Sequence, residues 1–292
     1  MTDGAAENVP DLLTRRDIEA LLASMGADPK RSLGQNFVVD PNTIRRIVRL
    51  AELEPGDRVV EIGPGLGSLT LGLLGAGVEV TAIEKDRRLA ASLTERLGPL
   101  AGPRLRVVCA DALTVDWPSL IGSDRHVLVA NLPYNVATSI VIGLLDGVPA
   151  IDRMLVMVQR EVADRMAAGP GDPSHGLPSI RIARRAVARR VAAISPDVFW
   201  PRPRVDSALV DIRRVHPAPI EPSDEATFVT AVAAGFGQRR KTLRRSLSAR
   251  WPTEQVDAAL AAAGIEPSER AERLSLEQWA ALTTALVGEA PR

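Results

Sequence analysis

The sequence predicts a doubly wound α/β domain followed by a small C-terminal helical domain. Three observations predict it. Short runs rich in β-branched residues alternate with helical patterns through the first two thirds of the chain. A glycine-rich turn follows the first of these runs. Proline density rises at His216–Pro222, and beyond it the patterns are helical.

Taken in order, residues 14–25 (TRRDIEALLASM) read as a helix. Thr14 is placed to cap it, Asp17 lies in its first turn, and Ile18, Leu21, Leu22 and Met25 recur at helical spacing before Gly26. The runs at 58–62 (RVVEI), 78–84 (VEVTAIE), 105–109 (LRVVC), 127–130 (VLVA) and 154–158 (MLVMV) suit strands buried on both faces of a parallel sheet. Helical patterns lie between them, at 68–74 and 86–97 for example. Residues 205–212 (VDSALVDI) alternate and suit a late strand. Past the linker, helices are expected over 224–235, 241–250, 253–263 and 276–287. The domains are expected at 1–215, with a helical N-terminal extension over 1–40, and at 216–292.

Composition narrows the function classes. No uninterrupted apolar run approaches the ~18 residues of a membrane span. The N-terminus has no basic start followed by an apolar core, so no secretory signal is expected. Cys109 is the only cysteine, which excludes an internal disulfide and fits a reducing cytoplasm. His126, His175 and His216 are scattered, and no metal site is expected. The net charge is zero, yet residues 181–250 hold 15 Arg and Lys against 6 Asp and Glu. Such asymmetry suits one-faced binding of a polyanion, and it also suits a merely solvated surface.

The turn after the first strand is Glu61-Ile-Gly63-Pro-Gly65-Leu-Gly67. Its glycines permit a sharp turn and close approach of a ligand. The G-x-G-x-G spacing, with an acid two positions ahead, differs from the G-x-G-x-x-G of pyrophosphate sites. It suits S-adenosyl-methionine, whose amino-acid end would lie over the loop. Glu84 ends the second strand, where a carboxylate can accept from both ribose hydroxyls. Asp111 follows the third strand and can accept from the cofactor's adenine amine. Each alone could be a helix cap; the three features at consecutive strand ends point together to a cofactor.

Asn131-Leu132-Pro133-Tyr134 follows the fourth strand and has the [DNS]-P-P-[YFW] form of amine methyltransferases, with Leu in second place. The chemistry explains the residue types. The lone pair of adenine N6 is delocalised into the ring. The Asn131 side-chain oxygen and the Leu132 carbonyl can each accept an N6 hydrogen, which favours a more tetrahedral nitrogen aimed at the methyl group. Positioning and electrostatics carry the reaction without a strong base. Tyr134, the only tyrosine, can stack on an extruded base.

On these residues the chain resembles the ribosomal RNA adenine dimethyltransferase family, from about Arg31 to Leu282. The segments that carry the resemblance are SLGQNFVVD from Ser32, EIGPGLGSLT from Glu61, NLPYN from Asn131 and MVQREVADRM from Met157. They continue with F-x-P-x-PRVDSA from Phe199, FGQRRKTLRRSL from Phe236 and RAE-x-LS from Arg270. The resemblance implies a Rossmann-like class I methyltransferase domain that uses S-adenosyl-methionine. It implies dimethylation of two adjacent adenines in a hairpin loop near the 3′ end of small-subunit ribosomal RNA. Its partner would be the small ribosomal subunit or its precursor, and a monomer is expected.

The resemblance also implies that Asn36, the backbone at Val38, Gly63, Gly65, Glu84, Asp111 and Asn131 touch the cofactor. Phe199 would join Tyr134 around the target base, with core packing as its plainer role. Arg239, Arg240, Lys241, Arg244 and Arg245 would contact RNA phosphates, or else pair with nearby carboxylates. Two departures stand out. Val38 takes the place of Leu, which is conservative. His175-Gly-Leu-Pro-Ser179 stands where the family tends to have Tyr-Gly-Arg-Leu-Ser. Rival readings are a large-subunit RNA methyltransferase conferring antibiotic resistance, a non-catalytic RNA-binding assembly factor, and a DNA adenine methyltransferase.

Overall fold

The structure is a computed structural model that describes residues 11–29, 35–218, 224–238 and 241–287. In chain order its elements begin with α1 (Arg15–Ser24), β1 (Phe37–Val38) and α2 (Pro41–Ala51). A β/α alternation follows: β2 (Arg58–Ile62), α3 (Ser68–Gly75), β3 (Glu79–Glu84), α4 (Arg87–Ala101), β4 (Leu105–Cys109), α5 (Trp117–Ile121), β5 (His126–Asn131), α6 (Ala137–Gly147) and β6 (Ile151–Gln159). Then come α7 (Arg160–Ala167), α8 (Leu177–Ala183), β7 (Ala186–Ile194), β8 (Phe199–Trp200) and β9 (Ser207–Arg214). The chain continues with α9 (Glu225–Gly237), α10 (Leu243–Leu247), α11 (Thr253–Ala262) and α12 (Leu276–Val287).

The main sheet has the order β4-β3-β2-β5-β6-β9-β7. Strands β4 through β6 are parallel, whereas β9 runs antiparallel to β6, so the sheet is mixed rather than wholly parallel. The order places the reversal between β2 and β5. From β2 the chain moves outward to β3 and β4, then returns to build β5 on the other side. Open α/β sheets bind ligands at such a reversal, beyond the carboxyl ends of the strands. The glycine turn, Glu84, Asp111 and Asn131 all fall at carboxyl ends of β2, β3, β4 and β5.

Burial explains the sequence pattern. Val59, Val80, Val127, Val129, Leu155 and Met157 pack in one core. Ile44, Ile47 and Ala51 give α2 its buried face. Thr14 and Asp17 form the capping box of α1. Asp40 caps α2, its carboxylate accepting from the Asn42 and Thr43 N–H groups. Among the described residues, no helix is long and apolar enough to cross a membrane.

The described chain divides into two compact units. One holds the residues through Ala163 with Arg190–Arg213, and the other holds Asp164–Arg189 with the residues from Arg214 onward. The sequence boundary at 215/216 lies close to the last crossing. The earlier excursion, 164–189, belongs with the second unit, where Ile180 of α8 joins the core of Phe228, Val232, Leu243, Leu247 and Trp279.

Arg153 on β6 ties α2 to the sheet. Its buried guanidinium donates to the carbonyls of Ala51 (2.6 Å) and Leu50 (3.0 Å), at the end of α2, and pairs with Asp211 of β9 at 2.9 Å. Replacing it with an apolar residue strands those acceptors. Arg153→Met should cost about 3 kcal/mol of stability, read as a lowered urea midpoint. A midpoint within error of wild type would show that water satisfies these groups equally well.

Candidate active site

Strand β2 ends in a turn whose Gly63 and Gly65 have φ of 69° and 57°, a region that disfavours side chains. A Cβ at Gly65 would lie 2.9 Å from the Phe37 ring, so that ring rests directly on the turn. The Gly65 N–H donates to one oxygen of Glu84 at 3.1 Å, and the Asp86 N–H donates to the other at 2.8 Å. Burial pushes the Glu84 carboxyl above its usual range.

Glu61 is fully buried beneath the turn and accepts from the Thr70 hydroxyl at 2.6 Å. Burial, with a smaller push from Glu84, raises its pKa to about 8. At neutral pH Glu61 therefore carries a proton.

Asp111, after β4, is held differently. It accepts from the Leu113 N–H at 3.0 Å and pairs with Lys85 Nζ at 2.7 Å. The Lys85 ammonium holds its carboxyl below the usual carboxylate range.

Asn131 closes β5, and its amide NH2 donates to the Asn36 carbonyl at 3.2 Å. That bond fixes the amide orientation and leaves the side-chain oxygen as an acceptor. The Leu132 N–H is tied to the Met157 carbonyl at 3.1 Å, which pins the turn to β6. Pro133 lies beside Gly63. The Tyr134 hydroxyl is 3.0 Å from Ser207 Oγ, and burial pushes its pKa up.

Ten sequence-predicted residues line one cavity: Asn36, Val38, Gly63, Gly65, Glu84, Asp111, Asn131, Leu132, Pro133 and Tyr134. Phe199 does not join them. Its side chain is buried in the core, and its backbone pairs with Val38 through the short β1–β8 ladder. Sequence reasoning missed Lys85, Thr70 and Ser207. Ser207 lay within the PRVDSA segment, but nothing local in it signals a partner at Tyr134.

The basic segment is also partly redirected. Arg239 and Arg240 lie outside the described residues. Helix α10 buries Leu243 and Leu247 as its spacing predicts, and Lys241 and Arg245 are exposed. Arg244, however, makes a two-pronged pair with Asp257 at 2.5 and 2.7 Å. A phosphate would have to compete with that carboxylate.

A family model described as ribosomal RNA adenine dimethylase matches residues 26–287. A Thermobifida fusca protein named ribosomal RNA small subunit methyltransferase A is 50% identical over 92% of this chain and 94% of its own length. A Streptomyces griseus protein of the same name is 48% identical over 94% and 95%. Among solved structures, the 23S rRNA methyltransferase ErmE is 30% identical with a TM-score of 0.64, covering 86% of this chain and all of that one. A dimethyladenosine transferase from Plasmodium falciparum shares the fold with a TM-score of 0.70 at 23% identity, over 83% of this chain and 94% of that one.

The protonated Glu61 makes stability depend on pH. The folded chain holds a proton up to about pH 8, which the unfolded chain releases near 4.5. Unfolding free energy should therefore fall as pH rises between these values and level off above them. Glu84 contributes a slope of the same sign, so the test is the difference between proteins. Glu61→Gln should be less steeply pH-dependent than wild type in urea unfolding from about pH 5 to 8. Equal slopes would mean that Glu61 is ionised in the fold.

Proposed function

The chain belongs to the ribosomal RNA adenine dimethylase family, and on that premise we propose its substrate, cofactor and chemistry. It transfers methyl groups from S-adenosyl-methionine to N6 of two adjacent adenines in a hairpin loop near the 3′ end of small-subunit ribosomal RNA. The reaction serves ribosome maturation in the cytoplasm. The observation that carries this reading is the meeting of Asn131, Tyr134, Glu84 and Asp111 on one cavity at the reversal of the sheet. The small-subunit names of relatives 43–50% identical to this chain favour that substrate over the large-subunit reading, whose solved representative is 30% identical.

The residues present fit the cofactor. The glycine turn leaves backbone at the cavity wall, and the two carboxylates supply acceptors at successive strand ends. Glu84 would hold the ribose hydroxyls, Asp111 the adenine amine, and the segment from Asn36 to Val38 would close over them. When bound, the cofactor supplies a methyl group activated by its sulfonium.

The chain's own work is positioning. The Asn131 amide, anchored on Asn36, offers its oxygen to an N6 hydrogen. The Leu132 carbonyl takes the second. Both acceptors strengthen as positive charge develops on the nitrogen. The Tyr134 ring forms a platform for the extruded base. The segment from residue 216 onward binds RNA, with Lys241 and Arg245 as phosphate contacts that add affinity without reading sequence.

Incubating the protein with labelled cofactor and, in parallel, unmethylated small subunits, large-subunit RNA and duplex DNA, then mapping the label, tests the whole reading. Label on adjacent adenines of the 3′ hairpin is expected; label on large-subunit RNA or DNA alone would replace it. Asn131→Ala should cut the single-turnover rate far more than subunit binding. An unaltered rate would remove Asn131 from the chemistry. The basic segment is tested separately. Lys241→Ala with Arg245→Ala should flatten the salt dependence of subunit binding by about 0.7–0.9 in log–log slope per lost contact. Arg244→Ala should change the slope less, because Asp257 already holds that guanidinium. An unchanged slope in the folded double variant would place RNA docking elsewhere.

A further inference from the structure

Tyr134 is the only tyrosine of the chain, and it stands on the cavity wall. Its hydroxyl is partly buried. It meets Ser207 Oγ at 3.0 Å, and either oxygen can donate. Ser207 has no exposed surface at all. A partly desolvated phenol gains from such a pairing, and a fully buried serine requires one. Ser207 can serve as a fixed point because its backbone is held on both sides. It opens β9 opposite Gln159 of β6. Its neighbour Asp206 accepts from the Arg160 N–H at 3.0 Å and pairs with the Arg160 guanidinium at 3.1 Å.

A phenylalanine would fill the same space and present the same ring face. The hydroxyl therefore adds an anchor rather than a surface. It fixes the far end of the ring, and with it the plane on which a base can stack. We propose that Ser207 is a positioning residue for methyl transfer, its hydroxyl anchoring the Tyr134 phenol so that the ring is held as the platform for the target adenine. This inference rests on the reading of Tyr134 as that platform.

The test is a mutant cycle under single-turnover conditions, with saturating cofactor and unmethylated small subunits. Ser207→Ala and Tyr134→Phe each remove the same hydrogen bond, from opposite ends. Each should slow the methyl-transfer step by roughly two- to tenfold, the net worth of one hydrogen bond. The double variant should be no slower than the slower single variant. Cofactor affinity should be unchanged. A fluorine label on the sole tyrosine gives one resonance, and Ser207→Ala should shift it. Tyr134→Phe keeps the ring packing, so it preserves the test should Ser207→Ala fail to fold.

Wild-type rates in folded Ser207→Ala or Tyr134→Phe, with Tyr134→Ala severely impaired, would overturn the proposal and leave the platform intact. Additive effects of the two single changes would also overturn it, since the hydroxyls would then act separately. A wild-type rate in Tyr134→Ala would instead remove the platform reading itself.

Discussion

The carboxylate of Glu84 is the joint on which the pocket is built. It is buried at the end of β3, and each of its oxygens takes a backbone N–H, one from the glycine turn and one from the start of α4. Burial pushes this carboxyl above its usual range, and the two backbone donors oppose that push. The turn must present the Gly65 N–H to that carboxylate while its outer side lies under the Phe37 ring, and a backbone with positive φ and no Cβ does both. The N-terminal segment that lines the cavity thus rests on a turn that Glu84 holds in place.

A second carboxylate nearby could have undone this arrangement. Glu61 lies deeper, with no exposed surface to speak of, and two anions in one apolar region repel. Burial raises both carboxyls, and Glu61, the deeper one, is pushed up to about 8. Glu61, bonded to Thr70, is neutral and acts as a packing and hydrogen-bonding group under the turn. Glu84 has a backbone donor on each oxygen and stands on the cavity wall. The acidic residue ahead of the glycine motif is in this way bonded under the turn, and the one at the next strand end holds the turn from the side.

Much of this was legible in the sequence, because it depends on local rules. The buried parallel strands read as short β-branched runs, α12 spans the predicted residues, and the strand-end positions of Glu84, Asp111 and Asn131 followed from the strands themselves. What escaped depends on distant partners or on lengths too short to carry a period. β1 and β8 have two residues each. β7 carries adjacent Arg189 and Arg190 in an outer strand, which blurs its alternation. α10 is shorter than its pattern because Thr242 caps it from within the expected helix. Ser207 and Tyr134 are joined only once β9 lies beside β6.

The same distinction between local and distant partners applies to the departure at His175–Ser179. Pro178 falls in the first turn of α8, where its missing N–H and fixed φ suit a helix start. The Ser179 hydroxyl accepts from the Gly176 N–H and donates to the Arg165 carbonyl, so the loop is tied locally. His175 is buried, meets the Glu272 carbonyl at 3.0 Å and sets its ring edge-on to Phe236. An imidazole can therefore fill a ring-shaped site and still satisfy a backbone carbonyl, which is what a tyrosine's aromatic body and polar tip also offer. These contacts all fall within the second compact unit, whereas every residue assigned to methyl transfer lies in the first.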